Sequence, residues 1–430
     1  MKTTVTNKRY EDVIAMPKEK PFKPLKQHGF FRFLMKTLSS FDLKATNFKY
    51  EEIGMERLGK DEPSLVLMNH SSFIDLEIAA TILHKRKYNI IATSDSFIGI
   101  MKWVMRLIGC IPTKKFITDA KLIRDMLYCL KELRSTVVMY PEASYSFDGT
   151  ATPLPESIGR CVKMLGVPVV MIRTYGAFAR QPLYNGLRKR KVDVSADVKY
   201  LLSAEQVADM KADEIQQMIK EEFAFDNFKW QQDNQICINE EERAEDLNRV
   251  LYKCPHCLTE GQMRGEGSKI CCEHCGKQYE LTEYGYLQAV SGETAFEHIP
   301  DWYRWERTCV REEIESGTYH MEIPVTICMM VNMKSIYRVG EGTLIHNSEG
   351  FHLTGCDGKL EYRQRPTSSY SLYSDYYWYE IGDVICIGDS NVLYYCFPKS
   401  GGDIVAKARL ATEELYQLTK GRKKRNAETE

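Results

Sequence analysis

The first 235 residues alternate short apolar runs with longer segments in which apolar residues recur every three or four positions. Short runs of this kind predict buried strands, and the periodic segments predict amphipathic helices. The predicted strands are 64–68, 88–93, 136–140 and 168–173, and the predicted helices between them are 73–85, 119–132 and 156–165. This alternation predicts an α/β fold with a largely parallel sheet, whose functional residues lie at the carboxyl ends of the strands.

The hydrophobic pattern changes after residue 238. An acidic stretch, N-E-E-E-R-A-E-D-L-N-R from Asn239, predicts a helical connector to a cysteine-rich segment. Beyond Leu281, aromatic and β-branched runs are separated by glycine turns, which predicts strands. A periodic stretch at 404–418 then predicts a terminal helix. This order favours a small β-barrel or β-sandwich closed by one helix, and a PH-like module fits it.

Composition limits the functional classes that need to be considered. A chain of 430 residues exceeds the usual size of one hydrophobic core, so two or three domains are expected. The 58 basic and 59 acidic residues nearly cancel, which argues against a general nucleic-acid binder. The N-terminus lacks the apolar core of a secretory signal, and no stretch of 18 uncharged apolar residues occurs. With 14 cysteines, this composition is typical of a reduced, cytoplasmic protein.

Four of the cysteines form two C-x-x-C pairs, Cys254-Pro-His-Cys257 and Cys272-Glu-His-Cys275. Each pair can direct two thiolates to one ion, and the spacer suits a β-hairpin, so the pattern predicts a structural zinc ribbon. Cys271 leaves the third ligand open, since either Cys271 or Cys272 can supply it. The segment lacks a basic face with interleaved aromatic residues, so we interpret it as a rigid joint between domains and predict no nucleic-acid partner.

The stretch N-H-S-S-F-I-D places His70 between an apolar run and a predicted helix, with Asp75 five positions later. In one continuous helix, residues five apart lie about 140° from one another, so the two side chains meet only if a turn intervenes. One interpretation is a general-base histidine that a carboxylate holds in one tautomer. The alternative is a capping box, in which Ser72 caps the helix and Asp75 is its acid. His352 has the same spacing to an aspartate but no helix after it.

Two further segments end strands of the same predicted sheet. Y-P-E-A-S-Y-S, residues 140–146, carries Glu142, and I-G-C-I-P-T-K-K from Ile108 carries Lys114 and Lys115. A base with its carboxylate, a second acid and a pair of cations then converge on one edge of the sheet. Such a set suits the transfer of a group to an alcohol on an anionic substrate.

These segments resemble the sequence blocks of the 1-acyl-sn-glycerol-3-phosphate acyltransferases and related glycerolipid acyltransferases, over residues 60–180. N-H-S-S-F-I-D is similar to the family's N-H-x-S-x-x-D, and G-C-I-P-T-K-K to its second, glycine-led block that ends in a basic residue. Y-P-E-A-S-Y-S is similar to the third block, usually F-P-E-G-T-R-S, and V-P-V-V-M-I to the fourth.

The resemblance implies an α/β O-acyltransferase of phospholipid biosynthesis. The donor would be acyl-CoA or acyl carrier protein, and the acceptor a hydroxyl of a lysophosphatidic acid-like glycerolipid. His70 would act as the base and Asp75 would orient it, with no catalytic cofactor. Glu142 would belong to the acceptor site, and Lys115 would replace the usual arginine as a phosphate contact.

The third block departs from the family pattern, because Ala143, Ser144 and Tyr145 stand where the family has G-T-R. Lysine and tyrosine do not reproduce the planar, bidentate guanidinium. Either Lys114 and Lys115 bind the phosphate, or the acceptor is not a simple glycerol phosphate. The altered block also leaves an alternative function open, a lipid- or protein-binding adaptor built on a catalytically altered acyltransferase fold.

Two apolar segments predict contact with a membrane surface, 28–41 with Arg32 and Lys36, and 96–109 with Lys102 and Arg106. Each segment is also compatible with an amphipathic helix that faces the protein core. The predicted location is cytoplasmic and peripheral, on the cytoplasmic face of a membrane. The predicted domains are an acyltransferase-like domain at 1–238, a zinc ribbon at 248–282, a β-rich domain at 283–420 and a disordered charged tail at 421–430.

Overall fold

The computed structural model describes residues 3–117, 119–186, 188–399 and 404–429, with side chains up to Gly421. Within these ranges the strands form three sheets, one of seven strands, one of four and one of eight. None of the helices in the described ranges combines the length and the apolar character needed to cross a bilayer.

The N-terminal half contains the seven-stranded sheet and its helices. Its elements are β1 (Val5–Asn7), α1 (Tyr10–Ile14), α2 (Gly29–Ala45), β2 (Lys49–Ile53), β3 (Leu65–Met68), α3 (Asp75–Ile82), β4 (Tyr88–Thr93), α4 (Met101–Leu107), β5 (Cys110–Thr113), α5 (Ala120–Lys131), β6 (Thr136–Met139), α6 (Ile158–Leu165), β7 (Val169–Tyr175), α7 (Ala177–Arg180), β8 (Ser195–Leu202), α8 (Ala204–Asp209), α9 (Ala212–Phe223) and α10 (Asn227–Asp233).

The strand order of this sheet is β2-β8-β7-β3-β6-β4-β5, and the neighbours are parallel except for the pair β7–β8. Alternate residues of the central strand β3 enter different cores. Val66 and Met68 join the core on one face of the sheet, and Leu65 and Leu67 join the core on the other. Burial on both faces explains why this strand is a continuous apolar run, and it confirms the predicted α/β class.

The sequence predicted four strands of this sheet and missed β2, β5 and β8. Strand β2 is exposed along its whole length, and β5 has only four residues, so neither has a long apolar run. Strand β8 alternates buried and half-buried positions, a period-2 signal that its sequence does carry.

The predicted acidic helical connector is wrong, since that stretch forms turns and one short 3₁₀ helix, Leu247–Arg249.

The cysteine-rich segment forms the four-stranded antiparallel sheet, with strand order β12-β11-β10-β9. Its strands are β9 (Met263–Glu266), β10 (Lys269–Cys272), β11 (Gln278–Leu281) and β12 (Leu287–Ala289), and α11 (Ile299–Ser316) follows. Trp302 donates its indole N–H to the carbonyl of Lys253 at 3.0 Å, and buried Glu306 accepts from the Lys253 N–H at 2.8 Å. Helix α11 thereby fixes the backbone just before the first cysteine pair.

The C-terminal sheet consists of two antiparallel meanders that are joined by the pairing of its first and last strands. Its elements are β13 (His320–Met330), β14 (Ile336–Asn347), β15 (Gly350–Gly355), β16 (Leu360–Gln364), β17 (Tyr373–Trp378), β18 (Gly382–Gly388), β19 (Leu393–Pro398) and α12 (Ile404–Thr429). The order is β16-β15-β14-β13-β19-β18-β17, and N-terminal β1 adds to β14 in parallel. The prediction of a β-rich region with a terminal helix is therefore confirmed.

The terminal helix continues past the predicted end of the fold. Helix α12 runs to Thr429, so the backbone of 421–429 is helical where the sequence predicted a disordered tail. Lysine, arginine, alanine and glutamate are good helix formers, and no proline interrupts this stretch. Glu430 lies outside the described residues.

Candidate active site and metal centre

His70 lies on the loop between β3 and α3, at the carboxyl end of the central strand. Its Nδ1 is 3.1 Å from Oδ2 of Asp75, the first residue of α3. The same carboxylate oxygen accepts from the N–H groups of Ser71 at 2.7 Å and Ser72 at 3.0 Å. The turn predicted from the sequence is therefore present, and it folds the carboxylate back onto the imidazole.

The capping-box alternative describes only half of this arrangement. Asp75 does reach back to the N–H of Ser72, as a capping-box acid does. The N-cap residue of α3 is Ile74, however, and the buried hydroxyl of Ser72 has no hydrogen-bond partner among the described residues. One carboxylate thus organises the loop backbone and orients the histidine.

The environment favours the neutral form of His70. The side chain of Asp75 is 1% exposed and that of His70 is 17% exposed. Burial lowers the pKa of His70, with a smaller contribution from the charge of Lys115, while Asp75 opposes the shift. Because a carboxylate only accepts, Nδ1 carries the proton of the neutral ring and Nε2 has a free lone pair. This is the state that a general base requires.

Aromatic rings hold the imidazole in place. The ring centroid of Tyr140 lies 4.5 Å from that of His70, and the ring centroid of Tyr145 lies 4.1 Å from it. Phe73 packs against Tyr145 at 5.0 Å, and the Tyr140 hydroxyl donates to the backbone carbonyl of Asp75 at 3.3 Å. The third sequence block therefore lies directly on the histidine of the first.

Glu142 joins the first and third blocks through their backbones. Its Oε2 accepts from the N–H of His70 at 2.7 Å, and its Oε1 accepts from the N–H of Thr152 at 2.8 Å. Burial raises the pKa of Glu142 to about 7, against the effect of these hydrogen bonds. Both carboxylate oxygens are engaged by main-chain donors, so the described contacts of Glu142 position His70. Its acceptor-site role stays a prediction.

The two lysines of the second block face the C-terminal sheet. Lys114 donates to the backbone carbonyls of Asp389 and Ser390, which lie in the turn between β18 and β19. The ammonium of Lys115 lies 4.3 Å from the ring centroid of Tyr373, and burial lowers its pKa. The charge of Lys115 contributes to the lowered pKa of His70, whereas Lys114 joins the two halves of the chain.

Two residues that the sequence analysis missed hold the C-terminal module against the site. Buried Arg409 of α12 donates to the carbonyl of Tyr145 at 3.1 Å and lies 4.3 Å from the ring centroid of Phe147. Buried Asp95 accepts from the hydroxyl of Tyr373, and its Oδ2 lies 3.3 Å from the hydroxyl of Tyr395. These contacts join residues that are more than 260 positions apart, so no local sequence signal indicates them.

Two further positions named in the sequence analysis are Ser144 and His352. The hydroxyl of Ser144 is 3.3 Å from the carbonyl of its neighbour Tyr145, and its side chain is buried. His352 lies on strand β15 and contacts Glu361 of the adjacent strand at 3.2 Å, instead of Asp357. The shared spacing of the two histidine–aspartate pairs therefore gives two different structures, as the absence of a following helix predicted.

The two C-x-x-C pairs come together as one cluster of sulfur atoms. The Sγ atoms of Cys254 and Cys275 are 3.7 Å apart, those of Cys257 and Cys272 are 3.7 Å apart, and all four lie within 4.8 Å of one another. The cluster has the size and the donors of a metal centre. Cys271 is adjacent to Cys272 on β10, so its side chain points to the opposite face. Cys272, and not Cys271, is therefore the residue that joins the four-sulfur cluster.

The chain is similar to a solved structure and to a protein family. The crystal structure of the 1-acyl-sn-glycerophosphate (LPA) acyltransferase PlsC from Thermotoga maritima is similar over 45% of this chain and 76% of that chain, with 16% sequence identity and a TM-score of 0.36. The family model described as Acyltransferase matches residues 49–174, which contain His70, Asp75, Glu142 and both lysines. Residues 49–174 are therefore a domain of the acyltransferase family.

Proposed function

We propose that the protein is an O-acyltransferase of phospholipid biosynthesis that moves a fatty acyl group from a thioester to the hydroxyl of a lysophosphatidic acid-like glycerolipid. The donor is the acyl thioester of CoA or of acyl carrier protein. The observation that carries this proposal is the 3.1 Å contact between Nδ1 of His70 and buried Asp75, at the carboxyl end of the central strand. The acyltransferase match over the same residues supports it.

The proposed reaction needs one base and no cofactor. Nε2 of His70 takes the proton from the acceptor hydroxyl as that oxygen attacks the thioester carbonyl. The carbon–sulfur bond then breaks. The leaving thiolate accepts from the imidazolium the proton that came from the acceptor hydroxyl. Asp75 keeps the proton of the neutral ring on Nδ1 and stabilises the imidazolium. The products are the acylated lipid and the free thiol of the carrier.

Lys115 is the proposed contact for the acceptor phosphate. It belongs to the second block, and its charge acts on His70. Ser144 and Tyr145 replace the family's threonine and arginine, so they border the acceptor site without a second cation. The role proposed for Lys114 is weaker, because its ammonium already donates to two backbone carbonyls.

A membrane surface is the proposed source of the acceptor. Helix α2 carries exposed apolar side chains at helical spacing, among them Phe33 at 69% and Phe41 at 74% exposure. Trp103 of α4 is 61% exposed, and Gln27, just before α2, donates to the carbonyl of Ile108, just after α4, at 2.9 Å. The two apolar surfaces therefore adjoin, which supports peripheral binding to a membrane surface. The cytoplasmic face is proposed from the cysteine-rich composition alone.

The cations of the second predicted membrane segment have another role. Lys102 pairs with Glu19 at 2.6 Å, and the guanidinium of Arg106 lies 4.5 Å from the ring centroid of Phe22. These charges pack against the N-terminal segment, whereas the sequence predicted membrane contact for the segment that carries them. Membrane contact would then rest mainly on the apolar residues of α2 and α4.

We propose that the four-cysteine centre holds a structural zinc ion. In a tetrahedron with zinc–sulfur distances of about 2.3 Å, the sulfur atoms are roughly 3.8 Å apart. The two 3.7 Å separations fit this value, and four protein ligands leave no open position for catalysis. Such an ion contributes on the order of 10 kcal/mol to the folding of its module.

The C-terminal region is proposed to be a PH-like module. Its seven strands form two meanders joined by the pairing of the first and seventh strands, and helix α12 packs against β17 and β18. Through Arg409, this module contacts the third block of the acyltransferase domain. Its proposed role is therefore to support the site, in addition to any binding function of its own.

A second candidate function is a lipid- or protein-binding adaptor without activity. One observation favours it: Tyr145 packs on His70 and replaces the arginine of the third block. Purified protein incubated with acyl-CoA or acyl carrier protein and a panel of lysolipids separates the two candidates. New diacyl lipids identified by mass support the enzyme and name its acceptor. Lysolipid binding without any acylated product in either donor arm supports the adaptor.

A further inference from the structure

A cavity of about 260 Å³ lies between the acyltransferase domain and the C-terminal sheet. One wall consists of Ser94, Pro112 and Thr113, at the carboxyl ends of β4 and β5. A second wall is the N-terminal segment 18–22, and a third comes from residues 330–333 with Ser390 and Asn391. The second and third walls lie outside residues 49–174, so the cavity is built largely by parts of the chain beyond the acyltransferase match.

The lining of this cavity has an excess of positive charge. It contains the four lysines Lys18, Lys20, Lys114 and Lys121, against two carboxylates, Glu19 and Asp119. Glu19 is paired with Lys102, outside the cavity lining, at 2.6 Å. Asp119 accepts from the backbone N–H of Lys121 at 2.8 Å as the N-cap of α5. Both carboxylates are thus engaged. Lys121 is itself paired with Asp125, and Lys114 donates to two backbone carbonyls, so the charge available to an anion comes mainly from Lys18 and Lys20.

The cavity also offers an aromatic ring and apolar walls. Phe22 lies on its surface, and the cations of Lys121 and Arg106 are 5.8 Å and 4.5 Å from the ring centroid. Ile117, Met330 and Met333 contribute further apolar surface to the lining. A flat heterocycle stacks on such a ring, while lysines around it bind phosphates. This combination is suited to a nucleotide.

The position of the cavity fits the donor of the proposed reaction. Strand β5 is three strands from β3 in the order β3-β6-β4-β5. At about 4.8 Å per strand, its end lies roughly 14 Å from that of β3, where His70 is located. In CoA the long phosphopantetheine arm separates the thioester from the adenosine phosphates, so these phosphates must bind well away from the base.

We propose that this cavity binds the adenosine 3′,5′-bisphosphate portion of a CoA thioester, which makes CoA the acyl carrier. This inference rests on the proposed acyl transfer, but binding of the nucleotide to the cavity is measured without turnover. Acyl carrier protein has the phosphopantetheine arm and no adenosine bisphosphate. It would leave the aromatic and basic parts of the cavity unused.

Direct binding is the first test. Free adenosine 3′,5′-bisphosphate is titrated by calorimetry into the protein and into the variants Lys18→Ala and Lys20→Ala. Each variant is expected to weaken binding roughly tenfold, because a charge-assisted hydrogen bond is lost. Lys220→Ala, an exposed lysine on α9, is the matched control and should bind as the parent does. No binding to the parent, or equal losses in all three variants, overturns the proposal.

Kinetics with a truncated donor is the second test. The two cavity variants should raise the KM for acyl-CoA roughly tenfold and leave the kinetics with acyl-pantetheine, which lacks the nucleotide, unchanged. Equal effects on both donors, or effects confined to acyl carrier protein as donor, contradict the assignment. If no donor is turned over while the nucleotide still binds with the predicted losses, the proposed function fails and the nucleotide site stands.

Discussion

The ring of Tyr145 lies 4.1 Å from the imidazole of His70, at the position where the third acyltransferase block usually carries arginine. The backbone of Tyr145 is fixed by a 3.1 Å hydrogen bond from Arg409 of the terminal helix. A residue expected to bind the acceptor phosphate is therefore replaced by one that packs on the base. The acceptor site must obtain its positive charge elsewhere, and Lys115 is the nearest candidate in the sequence blocks.

The acceptor phosphate provides the first prediction. Lys115→Ala should raise the KM of a lysophosphatidic acid acceptor far more than that of the thioester, since a charge-assisted bond contributes about 1.5–3 kcal/mol. Tyr145→Arg should maintain or tighten use of the same acceptor, because it adds the bidentate contact of the family. Steady-state kinetics with each substrate varied in turn measures both effects. Unchanged acceptor kinetics in Lys115→Ala, with loss of activity in Tyr145→Arg, would instead indicate an acceptor that lacks this phosphate.

The Glu142 carboxylate gives a prediction about stability. In Glu142→Gln, only one oxygen remains, so the amide N–H₂ must face the N–H of either His70 or Thr152. Leaving a buried donor unsatisfied should lower the free energy of unfolding by about 1–3 kcal/mol, measured by urea denaturation. Glu132→Gln, at an exposed position after α5, is the control and should change it by less than about 0.5 kcal/mol. Equal stabilities of the two variants would contradict the backbone role of Glu142.

The pH dependence of activity tests the state of His70. Burial lowers the pKa of His70 from its ordinary value of 6.5, and Asp75 acts in the opposite direction. The acidic limb of the kcat/KM profile should therefore lie below pH 6.5, with activity lost as His70 takes up a proton. In Asp75→Asn the opposing charge is absent, so the limb should move to still lower pH while kcat falls. A limb that moves upward in Asp75→Asn would contradict the assignment.

The metal centre is tested by comparing neighbouring cysteines. Cys272→Ser should reduce bound zinc and destabilise the four-stranded sheet, because it removes one of four clustered sulfurs. Cys271→Ser should retain zinc, since its side chain lies on the other face of β10. Elemental analysis of protein purified without chelators gives the zinc content, and thermal unfolding reports the destabilisation. Parent protein without zinc, or equal losses in both variants, would exclude the proposed centre.

The parts of the site that follow from the sequence are those built from local segments. The turn that joins His70 to Asp75, the strands that flank it and the two cysteine pairs each have a signal within about 20 residues. The contacts of Asp95 with Tyr373 and of Arg409 with Tyr145 have none, because they depend on how the C-terminal module packs on the sheet. Glu142 shows the same limit: its place in the third block is readable, but its two main-chain partners are not.

The most direct test of the account is the acyl-transfer rate of His70→Ala. With radiolabelled acyl-CoA and lysophosphatidic acid presented in lipid vesicles, this variant should form labelled diacyl product roughly 10²–10⁴-fold more slowly than the parent, with its fold retained. His352→Ala, the histidine that contacts Glu361 on the C-terminal sheet, should match the parent. Equal rates for His70→Ala and the parent would contradict the central claim that His70 is the base of an acyltransferase.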